Sequence, residues 1–176
     1  MRLRSAVKAR VRTPAELSGM RRRRGHPCWD HLYAAPLWPL HGANLGTLLR
    51  TCDAVGACMV APRFPWVDEA LARGNTLRRP SCVHRTGDPL GWLNRARDRG
   101  HRIVGVELAD EAVRLADLPA AREPTVMVLG HEQTGIPPEA LDLLDAVVEI
   151  PMIGRGASLN VAVAGSLVLY RLAGML

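Results

Sequence analysis

Thr125-Val126-Met127-Val128-Leu129-Gly130-His131-Glu132-Gln133-Thr134-Gly135 decides the reading of this chain. Five apolar or β-favouring residues run without alternation into a glycine, as in a strand buried on both faces. A polar loop, closed by a second glycine, follows at once. In α/β proteins the loops beyond the carboxyl ends of parallel strands are where ligands bind, so this stretch implies both a fold class and a place to look for function.

Working outward, strands are expected at residues 32–37, 57–61, 82–85, 103–107, 125–129 and 147–150. Helices are expected from Asn44 to Val55 with Gly56 as C-terminal glycine, at 67–72, at 89–99 closed by Gly100, at 138–144, and from about Ser158 to Leu172. The first of these rests on Leu45, Leu48, Leu49, Cys52 and Val55, spaced at three and four residues. Strands alternating with helices imply an α/β fold: a mostly parallel sheet with helices on both faces. Aromatic residues make up only 4% of the chain against 48% hydrophobic residues, so the core is aliphatic and one domain's worth.

The last helix has no charged residue between Arg155 and Arg171. A helix lying on a protein surface carries a polar stripe. Val161, Val163, Leu167, Val168, Leu169 and Leu172 cannot all face the core of one protomer, and a second subunit is expected against this helix; a helix buried wholly within a monomer is the other reading.

The net charge of +6 is unevenly spread. Residues 1–30 hold nine Arg and Lys against Glu16 and Asp30, whereas the remainder is nearly neutral. A basic N-terminal arm, partly flexible, is therefore expected over residues 1–30, and the folded domain over 31–176. Arg21-Arg22-Arg23-Arg24 suits contact with RNA phosphates, an attraction that reads no sequence and weakens with salt. A solvated leader is the other reading of such a run.

Cys28, Cys52, Cys58 and Cys82 form no C-x-x-C pair. They read as reduced thiols of a cytoplasmic protein, with no metal expected, and His26 with Cys28 lacks a second ligand pair at zinc spacing. No apolar run reaches the eighteen or so residues that span a bilayer, and no apolar segment follows the basic start, so neither membrane attachment nor secretion is expected.

Two further loops resemble the first in chemistry: His41-Gly42-Ala43-Asn44-Leu45-Gly46 and Gly154-Arg155-Gly156-Ala157-Ser158. Gly154-x-Gly156 fails as a dinucleotide fingerprint, because Leu159 stands at the third glycine position and no strand with an acidic residue follows. No Walker A loop occurs, and no Ser-His-Asp or Cys-His set has a recognisable spacing. The loops instead supply Asn44, Ser158 and Asn160, together with Arg50 and Glu132. Such groups suffice for transfer from an already activated cofactor, which needs positioning and modest electrostatic help.

At this point the chain resembles a known family. Asn44-Leu45-Gly46-Thr47-Leu48-Leu49-Arg50 with Gly56 is similar to motif 1 of the SpoU (TrmH-type) branch of the SPOUT superfamily. Val128 through Ile136 is similar to motif 2, and Ile150-Pro151-Met152-Ile153-Gly154 through Ser158-Leu159-Asn160-Val161 to motif 3. The resemblance covers residues 32–172 and leaves out the arm. It implies a C-terminal trefoil knot, a departure from the rule that chains avoid threading loops, and a homodimer through the last helix. It implies S-adenosyl-L-methionine as cofactor, leaving as S-adenosyl-L-homocysteine, held through Val106, Leu129, Gly130, Ile150, Met152, Ser158 and Leu159. Glycines at 130, 154 and 156 would let the main chain approach the cofactor closely.

The implied activity is 2′-O-ribose methylation of RNA, by Arg50, Asn44, Glu132, Ser158 and Asn160. A guanidinium stays protonated in proteins and is a poor general base. Arg50 is therefore expected to bind the phosphate beside the target ribose and stabilise the developing alkoxide. Asn44 is expected to cap its helix and contact substrate, Glu132 to orient Arg50 or hold its loop, and Ser158 to serve the pocket or simply cap the last helix. Ala162 stands where many relatives have Ser. Gly135-Ile136-Pro137-Pro138 and Glu149-Ile150-Pro151 are similar to members that modify guanosine in the tRNA D-loop, so tRNA is favoured over rRNA. A catalytically inactive RNA-binding protein and a base methyltransferase are the alternatives.

Overall fold

The aliphatic runs pair as parallel strands because helical crossovers separate them. In a computed structural model of the chain, which describes residues 29–74 and 82–176, seven strands form one parallel sheet in the order β3-β2-β1-β6-β4-β7-β5. They are β1 Trp29–Pro36, β2 Ala57–Pro62, β3 Val83–Thr86, β4 Arg102–Val106, β5 Val113–Arg114, β6 Thr125–Leu129 and β7 Ala146–Glu149. The helices are α1 Gly42–Val55, α2 Pro65–Gly74, α3 Pro89–Asp98, α4 Pro138–Leu141 and α5 Val161–Leu172, with a 3-10 turn at Leu115–Asp117.

The sheet divides the core in two. On one face Leu45, Leu48, Leu49, Cys52 and Val55 of α1 pack with Val67 and Leu71 of α2, Val168, Leu169 and Leu172 of α5, and Leu32, Met59, Val104 and Met127 of the strands. On the other, Leu93 and Ala96 of α3 and Ala140 of α4 cover Ala35, Val60, Ile103, Val126 and Val128. Helices thus lie on both faces, as the alternating pattern predicts. β6 sits near the middle, buried along its whole length.

Gly46 is a close-packing position. A Cβ there would come within 2.6 Å of Gly74 Cα, and one on Gly74 within 2.1 Å of Gly46 Cα, so α1 and α2 meet backbone to backbone. Ridges and grooves of larger side chains would hold the axes farther apart.

Several expected boundaries move. β1 begins at Trp29, inside the range assigned to the arm, because its first residue already pairs with Ala57. α1 starts at Gly42, two residues before Asn44, so Asn44 lies in its first turn and does not cap it; the capping position is His41, which makes no side-chain cap. α5 starts at Val161, capped by the Asn160 side chain, and Ser158 is left in the preceding loop. α4 ends at Leu141, and tighter i to i+3 bonds from Leu143 to Ala140 and from Leu144 to Leu141 replace its expected last turn. β5 and the 3-10 turn fall in a stretch expected to be loop. A two-residue edge strand is too short to show any periodicity.

The basic run Arg21, Arg22, Arg23 and Arg24, with His26 and Cys28, lies outside the described residues. Among the described residues no helix is long and apolar enough to cross a membrane.

Candidate active site

Strand register brings the important loops together. Pro36 pairs with Leu129, Leu129 with Val106, and Val106 with Val148, so β1, β6, β4 and β7 end on one edge of the sheet. The chain order reverses between β1 and β6, where β3-β2-β1 turns one way and β6-β4-β7-β5 the other. Crevices of α/β sheets form beside such switch points.

A cavity of about 520 Å³ opens there. Val106, Leu129, Gly130, Ile150, Met152, Ser158 and Leu159 all line it, as do Asn44, Glu132 and Asn160. Its walls therefore combine strand-end aliphatic groups with a polar rim, and it falls within the roughly 300–1,000 Å³ usual for small-molecule sites. Arg50 is not among the lining residues. It is exposed on α1, and six residues beyond Asn44 carry it about 9 Å along the axis and roughly a third of a turn away.

The polar rim is one connected network. Glu132 accepts hydrogen bonds from the backbone N–H of Leu40 at 2.7 Å and of His41 at 3.1 Å, and from Asn44 Nδ2 at 2.9 Å. Asn44 Oδ1 in turn accepts from Asn160 Nδ2 at 2.9 Å. Asn160 Oδ1 accepts from the N–H groups of Ala162 and Val163, capping α5. The loops after β1, β6 and β7 and the starts of α1 and α5 are thus tied through three side chains. Of the two roles expected for Glu132, holding its loop is the one this geometry displays; its partners are Leu40, His41 and Asn44.

Partial burial pulls the Glu132 carboxyl toward a higher pKa, but the hydrogen bonds from Asn44, Leu40 and His41, with one from its own backbone, outweigh it. Glu132 therefore stays ionised below the ordinary glutamate range. The carboxylate here serves as an acceptor and anchor.

Glu107 was not anticipated. It follows the last residue of β4, lines the cavity, and accepts from the Ile136 and Leu108 N–H groups, each at 3.1 Å. A carboxylate at a strand's carboxyl end beside a ligand-type loop is the signal that could have found it. The loop it holds is tight: His131 and Gly135 exchange backbone hydrogen bonds, and a Cβ on Gly130 would lie 2.2 Å from the Gly135 carbonyl carbon. Gly130 is thus required by the loop's own closure. Gly154 and Gly156 stand in open space, with at most a distant neighbour.

A family model, the SpoU rRNA Methylase family, matches residues 39–170. The chain belongs to this family. Motifs 1, 2 and 3 of the SpoU resemblance all lie within that match. The tRNA (guanosine(18)-2'-O)-methyltransferase of Escherichia coli strain K12 is 38% identical over 132 residues, covering 72% of this chain and 56% of that protein. The chain thus spans little more than half the length of that curated relative. An rRNA methyltransferase from Sinorhizobium meliloti, solved with AdoMet bound, superposes with a TM-score of 0.68 at 30% identity, covering 88% of this chain and 60% of that one. A structure solved for the 2-OH methylation of C/U34 on tRNA superposes at 0.71 with 26% identity, covering 82% of this chain and 95% of that one.

Proposed function

We propose that this chain methylates a ribose 2′-hydroxyl of RNA with S-adenosyl-L-methionine, tRNA being favoured over rRNA. The observation that carries the reading is the cavity at the sheet's switch point, walled by Val106, Leu129, Gly130, Ile150, Met152, Ser158 and Leu159 and rimmed by Asn44, Glu132 and Asn160. Its aliphatic walls suit an adenine ring, and strand-end backbone groups offer the directional hydrogen bonds that fix a nucleoside. Family membership and the named activities of the relatives support the same chemistry.

The cofactor supplies an activated methyl on a sulfonium, so no metal or covalent protein intermediate is required. Held by Val106, Leu129, Gly130, Ile150, Met152, Ser158 and Leu159, the cofactor would supply that methyl to the ribose oxygen and leave as S-adenosyl-L-homocysteine, the hydroxyl proton passing to a phosphate or to water. Asn44 and Asn160, locked by Glu132 and the start of α5, orient the substrate at the rim. Arg50, exposed and outside the cavity wall, binds the phosphate beside the target nucleotide as that nucleotide enters. That position favours the phosphate-clamping part of its expected role over direct contact with the reacting oxygen. Arg21, Arg22, Arg23 and Arg24 add contacts to the RNA backbone, the residues ahead of β1 acting as a basic arm beside a methyltransferase domain that begins at Trp29.

The reading extends to a trefoil-knotted C-terminal region, to cytoplasmic RNA processing and to a homodimer through α5. The dimer is supported by apolar groups left outside one protomer's core: Val163 is 48% exposed on α5, and Ile153, Met152 and Leu159 are exposed in the loop before it.

The test is nucleoside mass spectrometry on unmodified tRNA and rRNA transcripts incubated with the protein and S-adenosyl-L-methionine. A 2′-O-methylated nucleoside from tRNA is expected. A base-methylated product would identify a base methyltransferase, and RNA binding with no cofactor uptake in calorimetry would identify an inactive module; either result overturns the reading.

A further inference from the structure

At the opposite end of the sheet from the cavity, three metal-ligating side chains converge. Parallel pairing of β2 with β3 aligns Met59 with Val83 and Val60 with His84, and the Met59 N–H donates to the Cys82 carbonyl at 2.9 Å. Side chains two apart on an extended chain share a face, which puts Cys82 and His84 on one side, and Cys58 on the neighbouring strand joins them. The two sulfurs and an imidazole nitrogen all lie within 4.8 Å of one another, and Cys82 Sγ is 3.3 Å from His84 Nε2.

We propose that Cys58, Cys82 and His84 form a binding site for a thiolate-preferring divalent cation, zinc being the natural occupant. Zinc–sulfur bonds of about 2.3 Å and zinc–nitrogen bonds of about 2.0–2.1 Å in a tetrahedron separate the ligand atoms by roughly 3.5–3.8 Å. Cys82 Sγ and His84 Nε2, 3.3 Å apart, are already near that spacing, and Cys58 Sγ lies within 4.8 Å of both. Two sulfurs and one nitrogen match the ligand softness zinc selects over magnesium or calcium, which take oxygen. Both thiols give up their protons as the metal binds, and the Cys82–His84 hydrogen bond is replaced by two metal bonds. A fourth position remains for water or another ligand.

The surroundings are graded in the way such a site needs. Cys58 is buried, Cys82 half-buried and His84 exposed, so the ion is anchored from the protein side and reachable from solvent. The His84 ring also rests edge-on against Tyr33, centroids 5.6 Å apart, and Tyr33 contacts Trp92 of α3 in the same way, which restricts the imidazole's swing. Because β3 is a four-residue strand on the sheet edge, an ion bridging it to β2 is structural in effect. It lies away from the cavity where β6, β4 and β7 end, and does not depend on the proposed methyl transfer.

The experiment uses the full chain, reduced and stripped of metal, titrated with cobalt(II) alone and then with zinc. One cobalt per chain is expected, with sulfur-to-metal charge-transfer absorption and the intense ligand-field bands of a tetrahedral site, displaced by zinc. Cys58→Ser and Cys82→Ser should abolish the charge-transfer band or sharply reduce it. Cys58 is buried and its variant could unfold, so His84→Ala, at an exposed position, is the decisive partner: it should retain the wild-type circular dichroism and weaken cobalt affinity at least tenfold. Chelator should lower the melting temperature of the wild type and leave that of His84→Ala unchanged. Absence of cobalt uptake by folded protein, or an unaltered spectrum in His84→Ala, overturns the proposal.

Discussion

Glu132, Asn44 and Asn160 show how much a few hydrogen bonds can organise. Together they tie the loops after β1, β6 and β7 to the starts of α1 and α5, and hydrogen bonds to the charged acceptor are the strongest kind. The pH dependence follows with a definite sign. Because the folded-state pKa of Glu132 is lowered, its contribution to stability is present above the ordinary glutamate range and is lost as pH falls through the lowered value. Glu132→Gln should therefore be less stable than the wild type at neutral pH, and the gap in denaturation midpoint should close in acid. Cys52 makes the contrast: burial pushes its thiol up, and it stays a neutral core residue.

Arg50 belongs to the same scale. Exposed and without a described ion-pair partner, it can be removed without leaving a buried group unsatisfied, so Arg50→Ala should fold normally, with stability within about 0.5 kcal/mol of wild type. Turnover on RNA should fall at least tenfold, with S-adenosyl-L-methionine affinity retained in calorimetry. Near-normal turnover would remove Arg50 from the mechanism.

Among the elements, the α1–α2 contact is the most exacting. A methyl at Gly46 meets backbone 2.6 Å away, and backbone cannot rotate aside as a side chain can. Overpacking of this kind costs about 1–3 kcal/mol. Gly46→Ala should lower the melting temperature by that equivalent, whereas Thr47→Ala, one residue on and exposed, should barely move it. If Gly46→Ala melts with the wild type, the two helices are not held at this separation in solution.

The elements also show what could be read in advance. β6 matches its expected bounds because Thr125 to Leu129 is wholly buried and ended by a glycine. α5 starts three residues after Ser158, where the pattern places it, because Ser158 and Asn160 are both favoured capping residues. Only the hydrogen bonds from Ala162 and Val163 single out Asn160. β5 left no trace, since Val113 and Arg114 form a strand only through pairing with Val148 and Glu149 of β7.

For the whole molecule, α5 buries Val168, Leu169 and Leu172 against its own sheet while Val163 faces out. A second subunit covering Val163 and the apolar loop before it would complete the burial. If the proposed dimer forms through α5, Val163→Glu should shift the protein to monomer in light scattering after size-exclusion chromatography. A monomeric wild type would refute the assembly.

Local pattern determined the α/β class, the order of most elements, the polar glycine loops and the resemblance carried by three motifs, because periodicity and turn chemistry act over a few residues. Tertiary structure decided the contacts between distant positions. It joined Asn44 to Glu132 and Asn160 across 88 and 116 positions, left Arg50 outside the cavity, and brought Cys58 to Cys82 and His84. Parallel pairing makes such meetings invisible to spacing rules: each strand returns only after a helical crossover, so residues that share a site are separated by the length of everything between them.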